Sequence, residues 1–242
     1  PSFWATRGKH KDSIQDWVRI LRRCEFVGVR GPLSYGLLKD NGLDNVKIIG
    51  DLALSLASGS VKPKSMNKRV GINIGISNGH VWGTEEEILE KVVSLGDALL
   101  DDGWGITFLP VWARDLPYIK RAAERMKKKV DILQDFLSLE KTMRFLESCD
   151  VFVGEKLHSV ILAMAAYTPA IMLEYRPKCL DFMLSMEMPE FNFKTDAIKV
   201  RDILEKVHGL YSNIPYYQDK IAEKINYYAS LQRSAAEALM AS

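Results

Sequence analysis

Between residues 69 and 173 short apolar runs alternate with longer stretches whose apolar residues recur at helical spacing, with few residues between them. Residues 69–74, 105–111, 130–133, 150–153 and 169–173 read as strands. Residues 84–100, 116–129, 138–148 and 155–167 read as helices. Thr84 with Glu87 three positions on has capping-box spacing, and Ser138 stands where a cap belongs. Further helices are expected over 178–186, 198–208 and 216–240. A strand followed by a helix and a short return predicts a parallel sheet, because the helix must bury its apolar stripe on the sheet it has just left. The expected fold is therefore α/β, with a Rossmann-like sheet covered on both faces.

Upstream, the pattern is shorter. Ile14, Trp17, Val18 and Leu21 recur at helical spacing, residues 26–29 and 46–49 read as strands, and Gly31-Pro32 opens a helix between them. Residues 61–68 are polar, basic and carry Pro63, which reads as a linker. The chain thus divides into residues 1–60, the C-terminal part of an N-terminal Rossmann-like domain; a linker at 61–68; and a C-terminal Rossmann-like domain over 69–242. It opens Pro1-Ser2-Phe3-Trp4, with neither an initiator methionine nor the start of an element, and reads as a piece of a longer protein.

Composition narrows the function. A net charge of +2 gives no bulk attraction to nucleic acid or to an anionic membrane, so anion binding must come from a local cluster of cations. The tryptophans and tyrosines form no stacking ladder for single-stranded nucleic acid. Cys24, Cys149 and Cys179 stand apart and in odd number, without metal-ligand or disulfide spacing, which fits a reducing, cytoplasmic compartment. No apolar stretch has the length of a membrane span.

In parallel sheets ligands sit beyond the carboxyl ends of the strands. Gly154 to Ser159 is the strongest such loop: a buried strand ends in glycine and a helix begins, so backbone N–H groups face the crevice, with Lys156 adding a full positive charge. His158 supplies an imidazole, and Glu155, three residues before it, would share its helical face and orient the ring. The alternative for these residue types is a surface lysine and a locally bonded histidine. Arg176 and Lys178 follow the next strand, where they read as a phosphate or carboxylate grip or as a solvated charge cluster. Residues 75–83 interleave glycines with Ser77, Asn78 and His80, which is either a ligand loop or a surface turn. Arg30 ends a strand before Gly31-Pro32, and Asp51 is a cap or an acid at a strand end.

Three stretches together resemble the polysaccharide pyruvyl transferase family. Val29-Arg30-Gly31-Pro32-Leu33-Ser34 with Leu37, Gly42 and Gly50-Asp51 is similar to one family segment. Gly154-Glu155-Lys156-Leu157-His158-Ser159 with Ala163 is similar to a second, and Pro169-Ala170-Ile171 with Tyr175, Lys178 and Phe182 to a third. The resemblance implies a GT-B-like architecture and transfer of pyruvate from phosphoenolpyruvate to two hydroxyls of a sugar, forming a ketal. His158 would be the acid–base group, with Glu155 orienting it. Arg30, Lys156, Ser159, Tyr175 and Lys178 would bind substrate, joined by Asn78 and His80. No cofactor or metal is implied beyond the donor itself. The acceptor would be a sugar or lipid-linked oligosaccharide, which brings peripheral association with membrane-bound glycan machinery. An incomplete N-terminal domain would expose apolar surface and favour a homo-oligomer. Lys156 departs from the family's usual arginine, keeping the charge but losing the bidentate fork. Two other readings share these features: a GT-B glycosyltransferase using a nucleotide sugar, with Glu174 on the ribose, and a non-catalytic glycan-binding relative.

Overall fold

The computed structural model describes residues 11–57, 59–75, 81–133 and 138–241. Its first elements are α1 (Lys11–Leu21), β1 (Val27–Val29), α2 (Pro32–Asp40) and β2 (Val46–Ile48). β1 and β2 pair in parallel, with Val27 opposite Val46 and Val29 opposite Ile48. Val18, Val27, Leu38, Leu43 and Val46 close a small core over one face of this pair. Trp17, expected on the apolar side of α1, is instead 37% exposed.

The remaining elements are β3 (Arg69–Asn73), α3 (Glu85–Asp101), β4 (Gly105–Phe108), α4 (Leu116–Arg125), β5 (Asp131–Ile132), α5 (Leu139–Ser148) and β6 (Val151–Gly154). They continue with α6 (Leu157–Ala165), β7 (Ala170–Glu174), α7 (Pro177–Ser185), β8 (Asn192–Lys194), α8 (Val200–Ser212) and α9 (Ile214–Ala241). Six strands form one sheet in the order β5-β4-β3-β6-β7-β8, every neighbouring pair parallel. This is the doubly wound order of a Rossmann sheet, and the expectation of an α/β fold holds. Its central strands are apolar on both faces because helices cover both: Val70, Ile72, Val151, Phe152, Val153, Ile171 and Leu173 are all buried.

Polar devices set the boundaries. Thr84 Oγ1 accepts the Glu87 N–H while the Glu87 carboxylate accepts the Thr84 N–H, the reciprocal box that starts α3. Ser138 Oγ accepts the Lys141 N–H and starts α5. Helix α4 stops at Arg125, short of the expected 129, because Met126 is already extended. The helix expected from Glu155 begins at Leu157: the Glu155 N–H still donates to Asn73 O at 2.9 Å, prolonging the ladder, and Lys156 remains extended. The edge strand β8, a three-residue Asn-Phe-Lys run, has no apolar pattern to announce it. Ahead of β3, Met66 and Lys68 sit at positive φ. Their turn is tied down by the buried carboxylate of Asp150, which accepts the N–H groups of Met66, Asn67 and Arg69 at 3.1, 3.0 and 2.9 Å.

Two long-range contacts hold the small sheet on the large one. Gly31 occupies the N-cap of α2 and has no side chain to cap with. Asp181 of α7 does it from outside, accepting the Leu33 N–H on Oδ1 at 2.7 Å and the Ser34 hydroxyl on Oδ2 at 2.5 Å. Helix α9 then crosses back: Tyr228 lies flat on Gly50, which is at φ 72, and Gln232 Nε2 donates to the carbonyls of Ile49 and Asp51. A Cβ at Gly50 would come within 2.5 Å of the Tyr228 ring, so glycine is required there twice over. Among the described residues no helix is long and apolar enough to cross a membrane.

Candidate active site

β3 and β6 are neighbours, yet the chain leaves β3 toward β4 and leaves β6 toward β7. The loops beyond their carboxyl ends therefore part, opening the crevice in which open α/β sheets bind ligands. Asn73, the last residue of β3, organises it. Its amide donates to Leu109 O at 2.8 Å, and its carbonyl accepts the Lys156 N–H at 3.0 Å and the Ser159 hydroxyl at 3.1 Å. One buried side chain thus fixes where β4 ends, where α6 begins and how the amides of α6 face the crevice.

Ser159, expected to touch substrate, is fully buried, and its hydroxyl is taken up by Asn73 and by Lys156 O at 2.6 Å. It holds the first turn of α6. Glu155 is also fully buried and accepts the Gly75 N–H at 3.1 Å. Because α6 starts after it, Glu155 does not share a helical face with His158 as the sequence reading expected. His158 stands exposed on the first turn of α6, while Glu155 lies inward near Tyr118 and Tyr175. Burial first, and then the Glu155 charge among others, pushes both phenols upward. Asn78 and His80 lie outside the described residues.

The cations do come together. Lys156 is only 8% exposed, and its ammonium lies 5.3 Å from the Trp112 ring centre and 5.8 Å from that of Tyr175. Lys178 Nζ is 4.9 Å from the same Tyr175 ring. Burial lowers the Lys178 pKa, and the charges of Arg30, Arg176 and Lys156 lower it further, while that of Cys179 opposes them. Arg30 arrives from β1, its Nε held at 2.6 Å by Asp51 Oδ2. Asp51 also caps the turn that follows it, accepting the Ala53 N–H at 3.0 Å. Four cations on three separate segments therefore surround one tyrosine beside a helix N-terminus, an arrangement suited to a small ligand with two anionic ends.

Three contributors have little signal in the sequence. Asn73 is one polar residue at the end of an apolar strand. Asp115 is fully buried behind the crevice, its carboxylate and the stem of Lys156 both pressed on Gly75. Trp112 lies in a loop that the strand pattern marks, with no feature to single it out. At the next strand end Glu174 is buried and receives the Asn192 amide at 2.5 Å; burial raises its pKa. Among the described residues no three His, Cys, Asp or Glu side chains gather where they could hold a metal ion.

Known proteins give the wider setting. S. aureus TarM, solved with UDP, alpha-GlcNAc-glycerol and Fondaparinux, superposes with a TM-score of 0.62 at 15% identity, covering 98% of this chain and 49% of that one. The UDP-forming α,α-trehalose-phosphate synthase of Burkholderia vietnamiensis gives 0.58 at 10% identity, covering 97% of this chain and 67% of that one. Likeness at these identities is one of fold, and the fold is the GT-B type. Amylovoran biosynthesis protein AmsJ of Erwinia amylovora is 28% identical over 94 residues, a match spanning 39% of this chain and 22% of that protein. The family model described as polysaccharide pyruvyl transferase matches residues 6–177, which include Arg30, Asn73, the Gly154–Ser159 loop and Tyr175. By that match the chain belongs to the polysaccharide pyruvyl transferase family.

Proposed function

We propose that this chain carries the donor-binding half of a phosphoenolpyruvate-dependent pyruvyl transferase, which closes a ketal over two hydroxyls of a polysaccharide sugar. The observation that carries the reading is the grouping of Arg30, Lys156, Arg176 and Lys178 around Tyr175 at the switch point of the sheet. Phosphoenolpyruvate has a carboxylate at one end and a phosphate at the other, and opposed cations are what both ends require. The arginine forks suit either planar oxygen pair, and the N-terminal end of α6 adds partial positive charge. Lys156, which cannot make the fork of the family's arginine, sits between two aromatic faces that favour a compact ammonium.

In the reaction the donor methylene accepts a proton and becomes a methyl group. The adjacent carbon gains bonds to two sugar oxygens and loses its bond to phosphate. Of the two hydroxyl protons released, one balances the methylene protonation and the other leaves with inorganic phosphate. His158, exposed at the start of α6, is our choice for the proton transfer. Glu155 is assigned a positioning role through Gly75, instead of the pairing with His158 expected from spacing.

Thermal unfolding with phosphoenolpyruvate tests this reading. A ligand at 100 times its Kd stabilises by about 2.7 kcal/mol, or roughly 5–10 °C for a chain of this size. The shift should vanish in Lys156→Ala. The fold shared with proteins solved with UDP, and Glu174 at the end of β7, favour a second reading, a nucleotide-sugar glycosyltransferase. A midpoint raised by UDP-glucose and untouched by phosphoenolpyruvate would select it.

A further inference from the structure

The cationic cluster uses the other wall of the crevice only through the contact of Trp112 with Lys156, and leaves the exposed part of that wall without a role. That wall is the loop after β4, where Trp112 is 49% exposed although it stands against the buried Lys156. About half of this indole is left in water, and the structure holds it in place. The Asp115 N–H donates to Trp112 O at 2.9 Å, and the Arg114 guanidinium lies over the ring at 4.1 Å. Trp112 and Tyr175 flank one ammonium at 5.3 and 5.8 Å, so the open indole borders directly on the pocket that the donor would occupy.

We infer that Trp112 and Arg114 form the acceptor subsite, binding a pyranose that carries a carboxylate, such as a uronic acid residue. The chemistry follows from the two side chains. A pyranose presents a face of polarised C–H groups, which the part of the indole that the two cations leave in water attracts. The exposed Arg114 guanidinium, stacked over the ring at 4.1 Å, keeps its N–H edge turned outward for a carboxylate on the same sugar. An acid on the sugar also lessens the repulsion that a neutral acceptor would leave among Arg114, Lys156 and Lys178. The position suits the reaction as well, because a sugar on Trp112 would bring its hydroxyls to the edge of the cationic cluster. This assignment deepens the pyruvyl transferase reading and rests on it for the donor, but the sugar site can be tested alone.

The test titrates the protein with methyl β-D-glucuronide and with methyl β-D-glucoside, which differ only in the acid, following line broadening and saturation transfer by NMR. Wild type should bind both, the glucuronide at least fivefold more tightly. Trp112→Ala should weaken both at least tenfold, and Trp112→Phe should recover part of the loss. Arg114→Gln should abolish the preference while keeping the glucoside. Arg114 is exposed and is not one of the donor cations, so Arg114→Gln should keep the wild-type midpoint shift with phosphoenolpyruvate, which would show that the donor pocket is intact. Failure of wild type to bind either glycoside, or binding unchanged in Trp112→Ala, overturns the assignment. Glycoside binding that depends on Trp112, without any response to phosphoenolpyruvate, upholds the sugar site and removes the donor reading instead.

Discussion

Replacing Asp181 with alanine tests how the two sheets are joined. Its carboxylate is 2% exposed and accepts the Leu33 N–H at 2.7 Å, the Ser34 hydroxyl at 2.5 Å and, more weakly, the Ser34 N–H at 3.4 Å. In effect α7 supplies the N-cap that Gly31 lacks. Loss of an N-cap side chain costs about 1 kcal/mol. Hydrogen bonds to a charged group are worth about 1.5–3 kcal/mol each, and part of that is recovered because a buried carboxylate no longer has to be desolvated. A net loss of about 3 kcal/mol follows, or roughly 6–12 °C in Tm for a chain of this size. Urea denaturation of Asp181→Ala, Ser34→Ala and the double variant closes a cycle in which the pair should couple by about 1 kcal/mol or more. Asp181→Asn keeps an oxygen for the Leu33 amide and should lose about half as much. Since Gly31 directly follows Arg30, Asp181→Ala should also weaken the response to phosphoenolpyruvate. A loss below about 0.5 kcal/mol for Asp181→Ala, or strict additivity with Ser34→Ala, would refute the argument.

Other consequences can be checked with the same assays. A Cβ on Gly75 would fall 2.3 Å from Lys156 Cε and 2.6 Å from Asp115 Oδ1. Gly75→Ala should therefore cost about 1–3 kcal/mol in urea and weaken the phosphoenolpyruvate response by displacing the ammonium. Asp150→Ala leaves three N–H groups without their acceptor in a turn with two positive-φ residues, and should cost about 3 kcal/mol or more by the same measurement. Burial holds the Lys64 ammonium down to about 8, while the unfolded chain keeps the ordinary 10.5. Between those values only the unfolded chain holds the proton, so this lysine makes stability rise with pH across the window; the gap between wild type and Lys64→Met should move by up to about 3 kcal/mol in the wild type's favour from pH 7.5 to 10.5. Burial drives Cys149 the other way, up to about 12 from an ordinary 9.0. Its contribution is intact below pH 9 and is lost as pH climbs toward 12, so Cys149→Ala should lose less stability than wild type in that range; parallel pH profiles would count against the assignment.

The sheet was legible because its strands are apolar on both faces and its helices carry their own start signals. Thr84, Glu87 and Ser138 act within one turn of chain, where spacing alone decides the partner. The residues that build the site act over long distances instead. Asp181 meets Leu33 across 148 positions, and Asn73 meets Lys156 across 83. A lone Asp or Asn has the same local pattern whether it faces water or a distant amide. The 154–159 loop was marked correctly as a strand-to-helix turn, yet helical spacing mispaired Glu155 with His158. Apolar periodicity does not register that a ladder bond from Glu155 to Asn73 delays the helix by two residues. Arg30, Lys156, Tyr175 and Lys178 can be singled out from the sequence because each sits just past a strand, and the fold, not the sequence, brings Arg30 to the other three.

The crossing of α9 has a consequence for the order in which this protein can be made. Gln232 holds the carbonyls of Ile49 and Asp51 from 183 and 181 positions farther along the chain. At roughly 5–20 residues per second, a ribosome needs on the order of ten seconds or more to reach Gln232 after it has delivered Asp51. Through that interval Gly50 lacks Tyr228, and the turn that anchors Arg30 has lost its outer brace. The β1–β2 unit thus emerges well before the helix that finishes it, and its outer contacts close only when α9 docks.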